Sequence, residues 1–437
     1  MSIPTLQGLQ TALSGLLADQ QAIDVTGQNI TNANTEGYSR QSAILVTNEP
    51  MHIAALSPIN GEGAQLGTGV GVAGYTRIRN TYLDAQYRNQ NTALGAANTD
   101  VEELQQAQGA FDEPSSAGLS SQLSAFWSAW GELADSPSSE AAQVGVVSTA
   151  TQLADTLHQL DSQLQSIEGQ AAAQYTAITG PSGQVSSDAT QIAELNQQIK
   201  LSLQAHQQPN DLEDRRDLLI DKLSSLASVT VTKEADGTDT ITFGNAAQPL
   251  VEKSTVHWPQ ALTPAAGGQL GALLDLSSPA GALASYQEAL NEVANTLSSS
   301  VNALHKAPPF FKGAGAAGIE VAVTPAEVQT SSSGKPGGNN IAQEIADLRG
   351  GAAEQRYSAL IEQVGAGVQN AQESQTTAQA VVTTLSNQRQ AVSGVSLDEE
   401  MTNLVTFQRG YQASARALTM MDEMLDTLIN HTGTAGM

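Results

Sequence analysis

The chain has 437 residues, a formal net charge of -26 and no cysteine, and aromatic residues make up only 4% of it. Without cysteine, disulfides and thiolate metal sites are excluded. With so much acid and no lysine before Lys200, nothing is available to neutralise a row of phosphates or an anionic bilayer, so neither nucleic-acid binding nor membrane insertion is expected.

The length allows two to four domains, and the abundance of Ala, Gln, Ser, Leu and Thr favours thin helical packing over a thick aromatic core. No apolar run approaches the roughly 18 residues of a membrane helix, and no basic stretch precedes an apolar one at the N-terminus. These rules predict a cytoplasmic protein, or one that leaves by a route without a cleaved signal.

In chain order, Leu6, Leu9, Leu13, Leu16, Gln20, Ile23, Gly27 and Ile30 alternate three and four residues apart, the seam of a coiled coil rather than the wider stripe of a globular helix. Asn29 to Gln41 then reads as a helix stop and turn, because Asn and Gly permit positive φ. On its residues alone it is an ordinary loop. Ser42 to Thr47 reads as a strand. Helical patterns follow over Thr81–Phe111, Ser120–Leu133 and Ala141–Ile178, a bundle with Trp127 and Trp130 as its large core contacts.

Asn210 is expected to cap a further helix, with Glu213 completing the capping box and Asp211 in the first turn. Val229-Thr230-Val231 and Thr240 to Phe243, separated by Asp236-Gly237, predict a hairpin that Leu250-Val251 and Thr255 to Trp258 extend. Helical periodicity returns from Leu283 to His305. Ile319 to Thr324 reads as one more strand, Ser331 to Asn340 as a flexible loop, and Glu354 to Val392 as a long helix.

The last helix, Ser396 to Asn430, starts at a capping signal, Ser396 with Glu399 three residues on. Leu397, Met401, Leu404, Gln408, Tyr411, Ala415, Leu418, Asp422, Leu425 and Ile429 repeat at the same alternating spacing as the first helix. Two seams at opposite ends predict that the ends meet; the alternative is that both helices cap one globular core. Helices of this length are marginal in water unless packed, so ordering on assembly is expected.

These features resemble the axial proteins of the bacterial flagellum. The resemblance rests on the first helix running into Asn29 to Gln41, and on Glu400-Met401-Thr402 through Phe407-Gln408-Arg409-Gly410-Tyr411-Gln412-Ala413. Within that group, Tyr38-Ser39-Arg40-Gln41, Ser393 to Glu400, and the interior stretches Ile192 to Asn196 and Pro209 to Asp217 look like the FlgK hook-associated family. Rod and hook proteins usually carry Ala-Asn where this chain has Ala413-Ser414-Ala415-Arg416.

The resemblance implies a mainly α fold with a smaller β domain: an elongated, nested, multidomain chain. Residues 1–50 plus 393–437 would form a coiled-coil-like inner domain, 51–226 plus 280–306 and 341–392 a helical bundle, and 227–279 plus 307–340 an outer β-rich domain. It further implies a structural junction between hook and filament, assembled as a ring after type III export and without enzymatic activity or cofactor.

The implied partners are other copies of the chain, the hook protein, the next junction protein toward the filament, and an export chaperone on the C-terminal helix. The expected assembly interface is Leu6, Leu9, Leu13, Leu16, Ile23, Ile30, Leu397, Met401, Leu404, Gln408, Tyr411, Leu418, Leu425 and Ile429. The family turn is Asn29, Asn32, Asn34, Thr35, Gly37, Tyr38, Arg40 and Gln41. The weaker alternatives are a hook or distal rod subunit and, from another class, an acidic cell-wall glycan hydrolase.

Other chemistry finds little support. Gly69-Val70-Gly71-Val72-Ala73-Gly74 matches a dinucleotide-binding pattern, but strand-like alternation follows where a helix would have to open. Asp214, Asp217 and Asp221 share a helical face, read as a solvated, salt-bridged surface with Arg215 and Arg216 beside it. The six histidines have no metal-like spacing, and no Gly-x-Ser-x-Gly elbow occurs.

Overall fold

A computed structural model describes residues 3–53, 64–333 and 337–431. Helix α1 (Ile3–Thr31) leads into strands β1 (Gln41–Thr47), β2 (Met51–Ile53), β3 (Ala64–Leu66) and β4 (Val70–Arg77). Strand β1 pairs antiparallel with β4 from Gln41 opposite Arg77 to Thr47 opposite Val70, with a register shift between Ile44 and Leu45, and β2 pairs with β3. This ribbon lies against α1. Gly69 turns the chain at φ +102°, and a β-carbon there would come within 2.0 Å of Ser14 Oγ, so only glycine allows the approach.

Three helices follow, α2 (Thr81–Phe111), α3 (Leu119–Asp135) and α4 (Glu140–Thr179), at nearly the predicted bounds. Asn80 caps α2 and Ser139 caps α4, each with a side-chain oxygen accepting from backbone N–H groups of the first turn. Next come α5 (Gln184–Gln204), α6 (Asn210–Leu226), strands β5 (Val229–Lys233), β6 (Asp239–Phe243), β7 (Val251–Glu252) and β8 (Thr255–Val256), then α7 (Gly268–Leu276) and α8 (Ala282–His305).

Two short strands, β9 (Phe311–Lys312) and β10 (Glu320–Val321), flank α9 (Gly315–Gly318). The chain closes with α10 (Asn340–Ala346), α11 (Ala352–Ser393) and α12 (Leu397–Asp426), the last ending in a π-helical turn over Thr427–His431. The predicted loop Ser331 to Asn340 includes residues 334–336, which lie outside the described residues.

The larger core belongs to the bundle of α2, α3, α4, α8, α10 and α11. Phe126, Trp127 and Trp130 stand at its centre, as expected, with Trp130 edge-on to Phe126 at 6.3 Å and 5.3 Å from Phe310. Phe310, Phe311, Ile319, Val323 and Val328 are all buried in this core, although the sequence reading grouped residues 307–340 with the sheet. Aromatic area decides their place, because each ring buries more apolar surface against the tryptophans than a two-stranded flap could offer.

A second core joins α5 and α6 to the antiparallel sheet β5-β6-β7-β8 through Val185, Ile192, Ile220, Leu223, Ile241, Phe243 and Val251. The predicted hairpin turn is present, with Asp236 Oδ1 accepting from the Thr238 backbone and hydroxyl, and Gly237 at φ +83°.

The chain is nested, since α1 packs along α12 and α2 along α11. Ser396 caps α12 as read from the sequence, accepting from Glu399 N–H, while the Glu399 side chain turns to Arg40. The expected capping box on α6 is absent. Pro209 occupies the cap position, and Asn210 donates instead to Gln41 Oε1 at 3.0 Å and the Tyr75 carbonyl at 3.3 Å. Tertiary partners displaced a local bond of similar strength.

Candidate assembly site

Helices α1 and α12 run antiparallel. A β-carbon at Gly8 would sit 2.9 Å from the Met421 methyl, one at Gly15 2.9 Å from Ser414 Oγ, and one at Gly410 2.7 Å from the Asp19 carboxylate. Ala12, Ala18, Ala22 and Val25 complete the buried face of α1. Small residues at the contact bring the two backbones close.

The two ends therefore meet, but not through the predicted seams. Leu13 is 42% exposed, Leu397 51%, Met401 53%, Tyr411 37% and Ile429 74%, and Gln408 is exposed as well. Leu9, Leu16, Ile23, Ile30, Leu404, Leu418 and Leu425 are half-buried, and the Leu6 side chain lies outside the described residues. The period was right and the phase only partly so, because the closest approaches fall at Gly8, Gly15 and Gly410, which leaves half of the seam residues half-buried beside the contact and the other described ones exposed.

The turn after α1 ties the pair together. Asn29, 1% exposed, donates through Nδ2 to the Gln41 carbonyl at 2.9 Å and to Glu400 Oε2 at 3.0 Å. Its Oδ1 accepts from the Tyr38 hydroxyl at 2.8 Å and from Gln41 N–H at 3.0 Å. All four hydrogen-bonding positions of the amide are thus filled, by β1, the turn and α12. Burial, with the charges of Asp211, Asp214 and Glu400, pushes the Tyr38 phenol up, so it stays a donor to Asn29.

Neighbouring residues extend the knot. Arg40 N–H donates to the Ser393 carbonyl at 2.8 Å and its guanidinium pairs with Glu399. Gln41 Nε2 donates to Asp211 at 2.9 Å. Within the turn, Asn32 Nδ2 donates to the Gln28 carbonyl at 3.0 Å and its Oδ1 accepts from the Thr35 hydroxyl at 3.2 Å; Gly37 takes φ +79°, and Asn34 is exposed. Glu400, 2% exposed, was quoted only as part of a family motif and not as a site residue. An acid with no predicted partner, next to two that suit the helix N-terminus, was the available signal.

Below the knot lies an ionic joint. Arg77 contacts Glu213 at 2.7 Å, Asp214 at 2.8 Å and Asp217 at 2.9 Å. Arg79 bridges Asp84 at 2.9 Å and Asp217 at 3.0 Å, and Arg88 bridges Asp217 at 3.1 Å and Asp221 at 2.6 Å. Arg389 of α11 reaches Asp84 at 2.8 Å and Asp221 at 2.7 Å while lying over the Tyr87 ring at 4.3 Å.

The expected solvated face is therefore a mostly buried one. Its partners come from β4, α2 and α11 rather than from Arg215 and Arg216; Arg216 points into the sheet side, donating to Asn196 Oδ1 at 2.8 Å. Burial alone would raise the Asp217 carboxyl, but Arg79, Arg77 and Arg88 outweigh it and hold the group well below the usual carboxylate range. Ser39 N–H donates to Asp214 at 2.9 Å, so joint and knot form one continuous network.

This arrangement holds helices together, with Asp84, Glu213, Asp214, Asp217 and Asp221 each engaged by an arginine. Among the described residues, no group of three or more His, Cys, Asp or Glu could hold a metal ion, and no helix is long and apolar enough to cross a membrane. The glycine-rich stretch continues as β4 to Arg77, so no helix opens at Gly74.

Residues 104–263 match the family described as flagellar hook-associated protein FlgK helical domain. The flanks match the flagella basal body rod protein at 9–38 and the flagellar basal body rod FlgEFG protein C-terminal family at 386–431. Flagellar hook-associated protein 1 of Bacillus subtilis is 29% identical over 509 residues, covering 99% of each chain. That of Salmonella typhimurium is 30% identical over 248 residues, 56% of this chain and 42% of the relative.

A solved structure, the flagellar hook junction protein FlgK from Burkholderia pseudomallei, aligns over 51% of this chain and 43% of that one at 25% identity with a TM-score of 0.45. With rod-type segments at both ends and the hook-associated helical domain between them, this chain belongs to the FlgK family of hook-associated proteins, structural proteins of the flagellar axis.

Proposed function

We propose that this protein is the adaptor between hook and filament, placed outside the cell after type III export and assembled there as a ring of copies. One observation carries the reading. The α1–α12 pair closes on itself through glycine and alanine and leaves Leu13, Leu17, Leu397, Met401, Val405, Tyr411, Met420, Met424 and Ile429 exposed. Burying such a side chain contributes about 1.5–3 kcal/mol, so a neighbour that covers several of them offsets the entropy of ordering the pair.

The occupants of this surface are other copies, the hook protein on one side and the next junction protein on the other, with an export chaperone on α12 beforehand. Relatives named as hook-associated proteins support the assignment.

The test is a chain ended after Ser396. The bundle core involves no residue beyond Ala371, so this variant remains folded, but it loses Glu400 and α12 and fails to join hook to filament. Restored motility would refute the proposal. Immunolabelling of isolated hook and basal-body preparations separates the junction from a hook or distal rod location.

A further inference from the structure

Charge is segregated between the two terminal helices. In α1 the only charged side chains are Asp19 and Asp24, whereas α12 between Met401 and Met421 carries only Arg409 and Arg416. Asp24 and both arginines are exposed, and among the described residues none of the three forms an ion pair or a hydrogen bond. Lone exposed charges are ordinary; their placement here is not.

On each helix a stripe of exposed side chains recurs outside the contact with its intrachain partner. On α1 the exposed residues Gln10, Leu13, Leu17, Gln20 and Asp24 recur at spacings of three and four. On α12 Met401, Val405, Arg409, Gln412, Arg416, Met420 and Met424 do the same. Such spacing keeps residues on one face. Leu13 and Asp24 lie eleven residues apart, and so do Arg409 and Met420. Eleven residues are close to three full turns, about 16.5 Å along the axis. Laid antiparallel, the two stripes therefore bring Asp24 to Arg409 and Leu13 to Met420 in a single register, with the Arg416 stem over Leu17.

The intrachain contact runs through Gly8, Gly15 and Asp19 on α1 and Gly410, Ser414 and Met421 on α12, none of them in these stripes, so this pairing requires a second copy. We propose that the outward stripe of α12 on one subunit docks antiparallel on the outward stripe of α1 on the next, with the Arg409–Asp24 ion pair setting the register. The contact uses different patches on the two copies, so it is heterologous and propagates into a ring or a helical array. The inference deepens the adaptor reading and rests on it.

Charge reversal in trans provides the test. Chains carrying Arg409→Glu or Asp24→Lys repel themselves, and each alone should reach isolated hooks at least tenfold less than the unaltered chain. Expressed together and alternating, the two variants present opposite charges at every contact between unlike chains, and incorporation should recover several-fold over either alone. Both sites are exposed, and unchanged thermal unfolding of the soluble variants verifies their folding. Because the chain lacks cysteine, co-expressed Asp24→Cys and Arg409→Cys chains bridged by a short bis-maleimide give a second readout, a cross-linked dimer on isolated hooks.

Incorporation of the single variants at the unaltered level, or no recovery on mixing, overturns the pairing and leaves the adaptor reading standing. Absence of the unaltered protein from hooks overturns both.

Discussion

The helical bundle and the terminal helix pair use similar residues in opposite ways. In the bundle, Phe126, Trp130, Leu133 and Leu153 are fully buried and packed on one another. In the terminal pair, Ala12, Ala18 and Ala22 are buried, while Leu13, Leu17, Leu397, Met401, Met420 and Met424 face solvent. The bundle has what it needs within one chain. The pair is held by a hydrogen-bonded knot and an ionic joint at its base, and most of its large apolar surface is left for other molecules. A helix pair that must be remade with neighbours gains from a specific anchor at one end and an uncommitted surface along its length.

The largest expected effect separates the two regions directly. Trp130→Ala should cost about 3–5 kcal/mol of bundle stability, the usual penalty for emptying an aromatic site in a core, as read from denaturant midpoints. Met420→Ala should stay within about 0.5 kcal/mol in the soluble protein. A comparable loss at Met420 would break the comparison.

Next is the joint. Asp217→Ala leaves Arg77, Arg79 and Arg88 short of a partner and should cost about 3–5 kcal/mol. The Asp217 carboxyl is held below its unfolded value, so its stabilisation is present above that value, near pH 4, and is lost as pH falls through the lower folded value. Amide exchange across an acid series should therefore show the joint opening, and Asp217→Asn should flatten the dependence.

Asn29→Ala should have a smaller and more local effect, about 1–3 kcal/mol for buried partners left unpaired. Amide protection should fall in α12 and hold in the bundle. Loss of protection in both would mean that the knot supports more than the helix pair.

The smallest effect is expected at His305, which donates through Nδ1 to the Pro308 carbonyl at 2.7 Å and accepts the Gln329 N–H at Nε2 at 2.9 Å, among Trp130 and Phe310. Burial pulls its pKa down, opposed by the Pro308 carbonyl. The neutral ring's contribution is present above about pH 6.5 and is lost as pH falls through the lower folded value. A pH series of the denaturant midpoint should show this slope, and His305→Leu should remove it.

Much of the architecture was legible. The α2 bounds, the Trp127 and Trp130 core, the hairpin around Asp236-Gly237 and the Ser396 cap all follow from periodicity, turn chemistry and capping, which act within a few residues. The alternating spacing at both ends also predicted that the ends meet. Less legible were the contacts between distant segments. The Asp214, Asp217 and Asp221 face looked solvated because its nearest arginines in sequence are 215 and 216, while its actual partners lie more than a hundred residues away. Asn29 to Gln41 looked like a plain loop because nothing local reveals that Glu400 will arrive beside it.

By itself, then, the sequence determined most of the long helices, several of their ends, and that two narrow apolar edges lie at opposite ends, since each depends on local backbone and side-chain preferences. It did not determine the short helices α7, α9 and α10 or the start of α6. Only the tertiary structure decided which edge faces which. Close backbone approach at Gly8, Gly15 and Gly410 rotated the helices so that small residues meet, and the carboxylates of α6 found their arginines only once β4, α2 and α11 had converged. Phase and pairing depend on contacts between residues far apart in the chain, which a one-dimensional pattern does not encode.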